Sequence, residues 1–232
     1  MNRWRRVVLA GMLIAVNACP TPASAQLAGT LSLASNQMFR GESVSRDGPT
    51  VSLGLNLDSP EGFYLGASAS VAVNGDAARV STAEQYAGFA RRIGETSIEI
   101  GAIHRSYERV IDEDYRRGFF EGYVGIVHRR LRARLYVSPD YLRSGPPTYY
   151  VDLNARLLSL GPWSLEGHGG LSLIPALQPD GSRKLDRFQD WRLQVSRPVE
   201  RLLVSTGVSA TNYPVYSESG RIRAYAAVMV AF

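Results

Sequence analysis

Arginine and acidic residues recur at every second position of several segments in this 232-residue sequence. The candidate set for chemistry is Arg132, Arg134, Arg156, Arg192, Asp152 and Glu166, with Glu99 and Glu121 as further acids. Alternate residues of a β-strand point to the same face. If the strands close into a barrel, this set lines its lumen. Arginines opposite acids would create a transverse field favouring small anionic or zwitterionic solutes. In the alternative, the same charges pair with one another and plug the lumen.

Serine and histidine could perform nucleophilic catalysis, and the chain has three histidines. His104 and Ser106 share a face near the end of a predicted strand. His168 and Ser172 also share a face, but they lie roughly 13 Å apart along a strand, too far for a hydrogen bond. His128 lies beside a turn. No Gly-x-Ser-x-Gly elbow is present. We therefore predict that the protein is not an enzyme, with an outer-leaflet lipid hydrolase using His104 as the least favoured alternative.

Metal and cofactor sites are not predicted. No two histidines have the spacing of a metal site, and the acidic segment Asp112-Glu113-Asp114 lacks the glycine and distant glutamate of a calcium loop. The basic segment 182–187 could contact lipopolysaccharide phosphates. Ordinary charged loops are the simpler interpretation of both segments.

The first 25 residues predict a signal peptide. Arginines within positions 3–6 precede an apolar stretch, and Ala23-Ser24-Ala25 is a small-residue cleavage site. Cys19, the only cysteine, falls in this leader, where lipidation is an alternative; the mature chain would have no disulfide. Cleavage would lower the formal net charge from +5 to +2, so nucleic acid is not an implied partner. The predicted domains are 1–25, the signal peptide, and 26–232, a barrel.

The rest of the chain alternates between apolar and polar residues with a period of two, as half-buried strands do. No later segment has the run of about 18 apolar residues that a transmembrane helix needs. Twelve strands are predicted, at about 29–39, 49–57, 63–73, 80–91, 96–106, 118–128, 131–138, 148–157, 163–173, 189–197, 202–212 and 221–232.

The connections between these strands alternate in length. Short ones are predicted at 58–62, 92–95, 129–130, 158–162 and 198–201, and mostly longer ones at 40–48, 74–79, 107–117, 139–147, 174–188 and 213–220. This rhythm and an even strand count are typical of outer-membrane barrels. It predicts an all-β, up-and-down antiparallel transmembrane β-barrel with both termini and the tight turns in the periplasm.

The polar faces suit a lumen better than a solvated exterior, since they carry Gly, Ser, Thr, Asn, Tyr and Arg, and Lys184 is the only lysine. Aromatic residues gather near strand ends, as in interfacial girdles. The last strand alternates through Val228 and Val230 to Phe232. This ending resembles the C-terminal signal read by the barrel-assembly machinery, and we expect the strand to close the barrel against the first one.

One segment points to a family. Ser35-Asn36-Gln37-Met38-Phe39-Arg40-Gly41-Glu42-Ser43, then Gly48-Pro49, then Glu61 to Gly66 resemble the opening of the TorF family of porins. These are small bacterial outer-membrane proteins whose function is otherwise unknown. Asn36-Gln37 stand where the family usually has Asp-Tyr. The resemblance continues through 136–141 and the strand near Asp190 to Phe232. It implies a pore and supplies no catalytic residues.

These observations predict a Gram-negative outer-membrane protein acting as a small diffusion porin with an arginine-lined lumen. A twelve-stranded barrel lies between a filled eight-stranded one and an open porin, so a narrow pore is expected. Expected partners are outer-membrane lipid and lipopolysaccharide, the barrel-assembly machinery and small solutes. The main alternative is a non-transporting surface barrel with a plugged lumen. The oligomeric state is not predicted.

Overall fold

In the computed structural model, the segments that alternate between apolar and polar residues form β-strands. The structure describes residues 25–75, 77–107, 118–139, 141, 146–177, 182–213 and 222–232. Residues 1–24 of the predicted signal peptide (1–25) and the acidic segment Asp112–Asp114 lie outside the described residues. The strands are β1 (Gln26–Ala34), β2 (Met38–Phe39), β3 (Glu42–Ser43), β4 (Thr50–Asp58), β5 (Phe63–Asn74), β6 (Ala77–Ile93), β7 (Thr96–Tyr107), β8 (Phe119–His128), β9 (Leu131–Ser138), β10 (Thr148–Leu160), β11 (Trp163–Leu177), β12 (Arg183–Val199), β13 (Leu202–Thr211) and β14 (Arg223–Ala231).

Twelve of these strands form one closed barrel, each antiparallel to the next in chain order, and β1 pairs with β14. The predicted all-β fold and strand count are therefore confirmed. The closing seam extends beyond β14, because the main chains of Phe232 and Gly29 exchange two hydrogen bonds of 2.8 and 2.9 Å. The ring of Phe232 fills the space where Gly29 would carry a side chain. Val228 and Val230 pair with Leu33 and Leu31 of β1.

The two faces of the barrel wall differ sharply in chemistry. Large apolar side chains on the outer face are exposed, among them Leu33, Leu53, Leu65, Ile100, Val124, Leu153 and Leu193. The opposite face holds buried polar and charged groups, including Ser70, Glu99, Glu121, Asp152 and Asp190. An apolar exterior around a polar interior is the arrangement of a barrel that spans a membrane. No helix among the described residues is long and apolar enough to cross a bilayer.

Five connections of two to four residues, at 59–62, 94–95, 129–130, 161–162 and 200–201, lie at what we call the tight-turn end. Those at the other, long-loop end include 35–49, 75–76 and 178–182. Two predicted long connections, 74–79 and 174–188, were wrong. The first is mostly strand, because β5 runs to Asn74 and β6 begins at Ala77. The second is also mostly strand, because β11 and β12 stay paired from Ser164–Ser196 to Leu177–Arg183.

The predicted first strand, 29–39, was also wrong at its end. The barrel strand stops at Ala34, and residues 38–43 instead form the small hairpin of β2 and β3. Asn36 stabilises the break, because its side-chain oxygen accepts hydrogen bonds from Ser43 (2.6 Å) and Ser45 (3.0 Å). Its amide also donates to Asp47 (2.7 Å). We call residues 35–49 the inner loop, since its hairpin lies inside the barrel.

Candidate functional site in the lumen

The half of the lumen near the tight turns contains three of the predicted arginines. Backbone register places Arg132, Asn154, His168 and Arg192 in one row across β9 to β12. Arg156 lies one row nearer the tight turns, opposite Glu166. The sequence pattern thus brings these side chains to a common inner surface, as period-two alternation on adjacent strands requires.

None of these three guanidinium groups has a hydrogen-bonded carboxylate among the described residues. Arg132 stands 3.8 Å from Asp152 and Arg156 stands 3.9 Å from Glu166, both beyond hydrogen-bond distance. The Nε atoms of both arginines are buried and have no hydrogen-bond partner. Arg192 forms no ion pair with any described residue. Three positive groups therefore face this part of the lumen with unused donors.

Arg134 behaves differently, although the sequence pattern groups it with the others. Its Nε and Nη2 donate to the two oxygens of Glu99 at 2.5 and 2.8 Å, a bidentate pair. Its third nitrogen donates to Tyr136 (3.2 Å), and the guanidinium lies 4.7 Å from the Tyr123 ring centroid. Arg134 is thus held against the wall.

His168 joins two acids in the middle of the lumen. Its Nε2 lies 2.7 Å from Asp190 and its Nδ1 lies 3.0 Å from Asp152. Tyr150 donates to Asp190 at 3.1 Å. His168 is therefore a member of a polar network, not the partner of Ser172.

Tyrosine side chains also line the lumenal wall. The hydroxyls of Tyr64 on β5 and Tyr123 on β8 meet at 2.6 Å across the two intervening strands. Each ring covers a glycine, Gly88 under Tyr64 and Gly101 under Tyr123, where a side chain would have no room. Because the rings reach along the circumference over these glycines, they coat the wall instead of crossing the lumen.

The inner loop occupies the long-loop half of the lumen and contacts three sectors of the wall. Gln37 donates to Ser70 of β5 (3.0 Å) and Thr82 of β6 (3.1 Å). Gly41 packs so tightly on the backbone of β13 at Ala210 that no side chain fits there. On β14, Arg223 makes a 3.1 Å ion pair with Glu42.

The fourth contact crosses to the far wall. Arg40, at the hairpin turn, reaches Glu121 of β8 at 2.5 Å, and both side chains are almost fully buried. Its guanidinium stacks 3.9 Å from the ring centroid of Tyr150 on β10 and 4.9 Å from that of Tyr141. The hairpin therefore spans the barrel and constricts its long-loop half.

Glu42 is the titratable acid of the inner loop. Burial raises the pKa of its carboxyl to about 7, with a smaller increase from Asp47 and an opposing decrease from Arg223. Its Oε1 has no hydrogen-bond partner in the described structure. The Glu42–Arg223 contact consequently depends on pH in the neutral range.

On the outer face, His104 and Ser106 are hydrogen-bonded to other partners and not to each other. His104 Nδ1 lies 3.0 Å from the side-chain oxygen of Gln85, and its ring packs on Phe120 with centroids 4.5 Å apart. Ser106 donates to the carbonyl of Ala83 (3.3 Å) instead of to His104. No described cluster of three or more His, Cys, Asp or Glu side chains is arranged to hold a metal ion.

Sequence reasoning missed the inner loop and its contacts. The signal that could have found it is the run Asn36 to Glu42, whose charged and amide residues break the alternation of the first strand. It also missed Asp190, which lies on the inner face beside the aromatic Trp191. In the basic segment at the long-loop end, Lys184 pairs with Asp186 (2.8 Å).

Comparison with known proteins agrees with the fold. The KdgM porin superposes with a TM-score of 0.53 at 15% identity, covering 88% of this chain and 99% of that one. The NanC porin gives 0.53 at 8% identity, covering 89% and 99%. Outer membrane phospholipase A from Escherichia coli gives only 0.44 at 13% identity. At such identities the similarity to the two porins shows a shared barrel fold and nothing finer.

No curated protein matches the sequence. A family model does match, over residues 18–227, which is most of the chain, and it describes a bacterial protein of unknown function. The TorF resemblance noted above is not confirmed under that name. The chain belongs to the Gcw_chp family of bacterial proteins of unknown function.

Proposed function

We propose that this chain is an outer-membrane pore that passes small anionic or zwitterionic solutes. The observation that carries the proposal is the set of lumenal guanidinium groups of Arg132, Arg156 and Arg192, which have no hydrogen-bonded carboxylate among the described residues. Rings of charged side chains determine which ions enter a pore.

A membrane location is supported by the barrel wall. Its outer face exposes leucine, isoleucine and valine side chains that would be costly to leave in water. Closure of the sheet leaves no free strand edge in the hydrocarbon, as a spanning sheet requires. The porin-like fold, the predicted leader and the TorF resemblance favour the outer membrane of a Gram-negative cell.

The arginine set is suited to transient binding. A solute carboxylate can accept from guanidinium donors that lack an internal acceptor, whereas Arg134 is already occupied by Glu99. The acids near Arg132 and Arg156 stand too far away to neutralise them by direct hydrogen bonds, but close enough to limit how strongly an anion is retained. Weak binding is what conduction needs.

The plugged, non-transporting barrel remains the second candidate, because the inner loop specifically favours it. The loop crosses the lumen, and its Arg40–Glu121 pair is buried and short. In that case the loops at the long-loop end would bind partners, and no solute would pass.

Proteoliposome swelling separates the two. Liposomes with the purified protein are placed in iso-osmotic lactate, alanine or glycerol. The pore predicts swelling, fastest with lactate, and a loss of that preference when Arg132, Arg156 and Arg192 are all changed to Gln. Arg129→Gln is the matched control, since Arg129 makes an exposed pair with Glu95 outside the lumen. Swelling no faster than in empty liposomes, for every solute, would rule out the pore.

A further inference from the structure

The guanidinium of Arg40 lies in a cage whose carboxylate, Glu121, and nearest ring, Tyr150, belong to the barrel wall. Glu121 supplies a carboxylate at 2.5 Å, and the ring of Tyr150 faces the cation at 3.9 Å. Tyr141 faces it from 4.9 Å. A carboxylate with aromatic faces is the chemistry that recognises guanidinium and alkylammonium ions. Phe39 adds another ring at 4.9 Å, but it belongs to the inner loop itself.

Charge balance around this cage depends on Arg40. Glu121 also contacts Arg105 at 3.2 Å, and Arg105 in turn pairs with Glu84 at 2.7 Å. Two acids thus face two arginines, and only one of those arginines, Arg105, belongs to the wall. If Arg40 leaves, Glu84 and Glu121 together keep one negative charge that Arg105 does not compensate, and burying that charge is costly. A cation from solution would restore the balance.

The inner loop that carries Arg40 is docked under strain. Arg40, Arg46 and Asp47 all have left-handed backbone, with φ of 45°, 55° and 56°. Such backbone conformations are unfavourable for residues other than glycine. Buried polar atoms at the contact, Arg40 Nε and Glu42 Oε1, lack hydrogen-bond partners. These costs oppose docking and lower the affinity that a competitor needs to displace the loop.

We propose that Glu121, Tyr141 and Tyr150 form a binding site for small organic cations of the guanidinium or alkylammonium class. Arg40 occupies this site in the docked inner loop. A free cation competes with Arg40, and its binding releases the inner loop from the long-loop half of the lumen. The binding step is independent of the proposed function. Only the effect of cation binding on solute passage rests on the proposed pore function. In that case the cationic end of a zwitterionic solute would compete with Arg40.

Binding to the purified protein in detergent tests the site directly. Isothermal titration measures tetramethylammonium and guanidinium chloride against wild type and Arg40→Ala, with sodium chloride as the reference salt. Because Arg40 occupies the wild-type site, Arg40→Ala should bind the cations about tenfold or more tightly than wild type. Adding Glu121→Gln to Arg40→Ala should abolish that gain. Arg129→Ala, which removes an exposed arginine at the tight-turn end, should bind as wild type does.

A second measurement leaves the cage unaltered and covers the possibility that Arg40→Ala does not fold. Val44 is buried in the inner loop, so a Val44→Cys side chain, in a Cys19→Ser background, should react with a water-soluble maleimide only when the loop is released. Tetramethylammonium should raise the labelling rate several-fold above sodium at equal ionic strength.

Equal labelling in the two salts, or equal cation affinity of wild type and Arg40→Ala, would overturn the proposal. Neither readout uses conductance. A barrel that binds cations but passes no solute would therefore refute the pore and support the cation site. A barrel that passes solutes but binds no cation would refute the cation site and support the pore.

Discussion

Replacing Arg132, Arg156 and Arg192 together with glutamine should remove the anion preference of the pore. All three guanidinium groups face the lumen without a hydrogen-bonded carboxylate among the described residues. Glutamine keeps much of the side-chain length and hydrogen-bonding capacity while removing the charge. The variant therefore changes the electrostatic potential more than the free radius.

The expected size follows from Coulomb's law. At ~8 Å in a water-filled lumen, one unit charge stabilises a monovalent anion by ~0.5 kcal/mol. Three such charges contribute ~1.5 kcal/mol, roughly a tenfold change in anion occupancy. Screening is incomplete at that distance, because the Debye length is about 10 Å at 0.1 M salt. The effect should shrink as the salt concentration rises.

Reversal potential across a planar bilayer with a potassium chloride gradient is the appropriate assay. Wild type should reverse on the anion-selective side, and the triple variant should shift towards or past zero. Changing Arg134 to Gln serves as the informative comparison: its charge is compensated by Glu99, so freeing that acid should move the potential in the same direction by about one charge. An unchanged reversal potential in the triple variant would refute the assignment of these arginines to the conduction path.

Three further outcomes are expected. In the docked loop the pKa of Glu42 is about 7, above its usual 4.5, so the docked state holds an extra proton between these two pH values. Docking therefore strengthens as pH falls through this window, and conductance should rise with pH. Glu42→Gln, which still faces Arg223, should flatten this pH response. An equal pH slope in that variant would contradict this role. Wild-type protein should release no fatty acid from phospholipid vesicles; release that disappears in His104→Ala would instead establish a hydrolase. Phe232→Ala should lower the yield of folded barrel in the outer-membrane fraction, measured by heat-modifiable migration on gels, and an unchanged yield would deny Phe232 a part in assembly.

The barrel itself could be predicted because its causes are local. Strict alternation, as in Leu131 to Val137, sets both the strand and its two faces, and short turns such as Arg129-Arg130 join antiparallel neighbours. The closing pair of β1 and β14 follows from the chain order once all twelve strands are placed. Strand ends were less predictable, because β11 continues past Pro175, a residue that usually ends strands, and β12 begins in the polar run from Arg183 to Arg187, where the two strands remain paired.

The inner loop could not be predicted, since its causes are distant in sequence. Arg40 meets Glu121, 81 positions away, and no pattern near Arg40 indicates that partner. The same limit applies among the lumenal arginines. Arg132 and Arg134 have the same spacing and face, yet only Arg134 reaches an acid with bidentate geometry. That difference depends on which residues β7 and β10 place opposite them.

Planar-bilayer conductance of the purified wild-type protein tests the central claim most directly. A protein shortened by replacing residues 37–44 with a Gly-Ser linker is measured beside it. The pore account predicts discrete conductance steps in wild type and larger, steadier steps in the shortened protein, because the constriction formed by the inner loop is gone. Absence of conductance in both proteins at every voltage and salt concentration would contradict it.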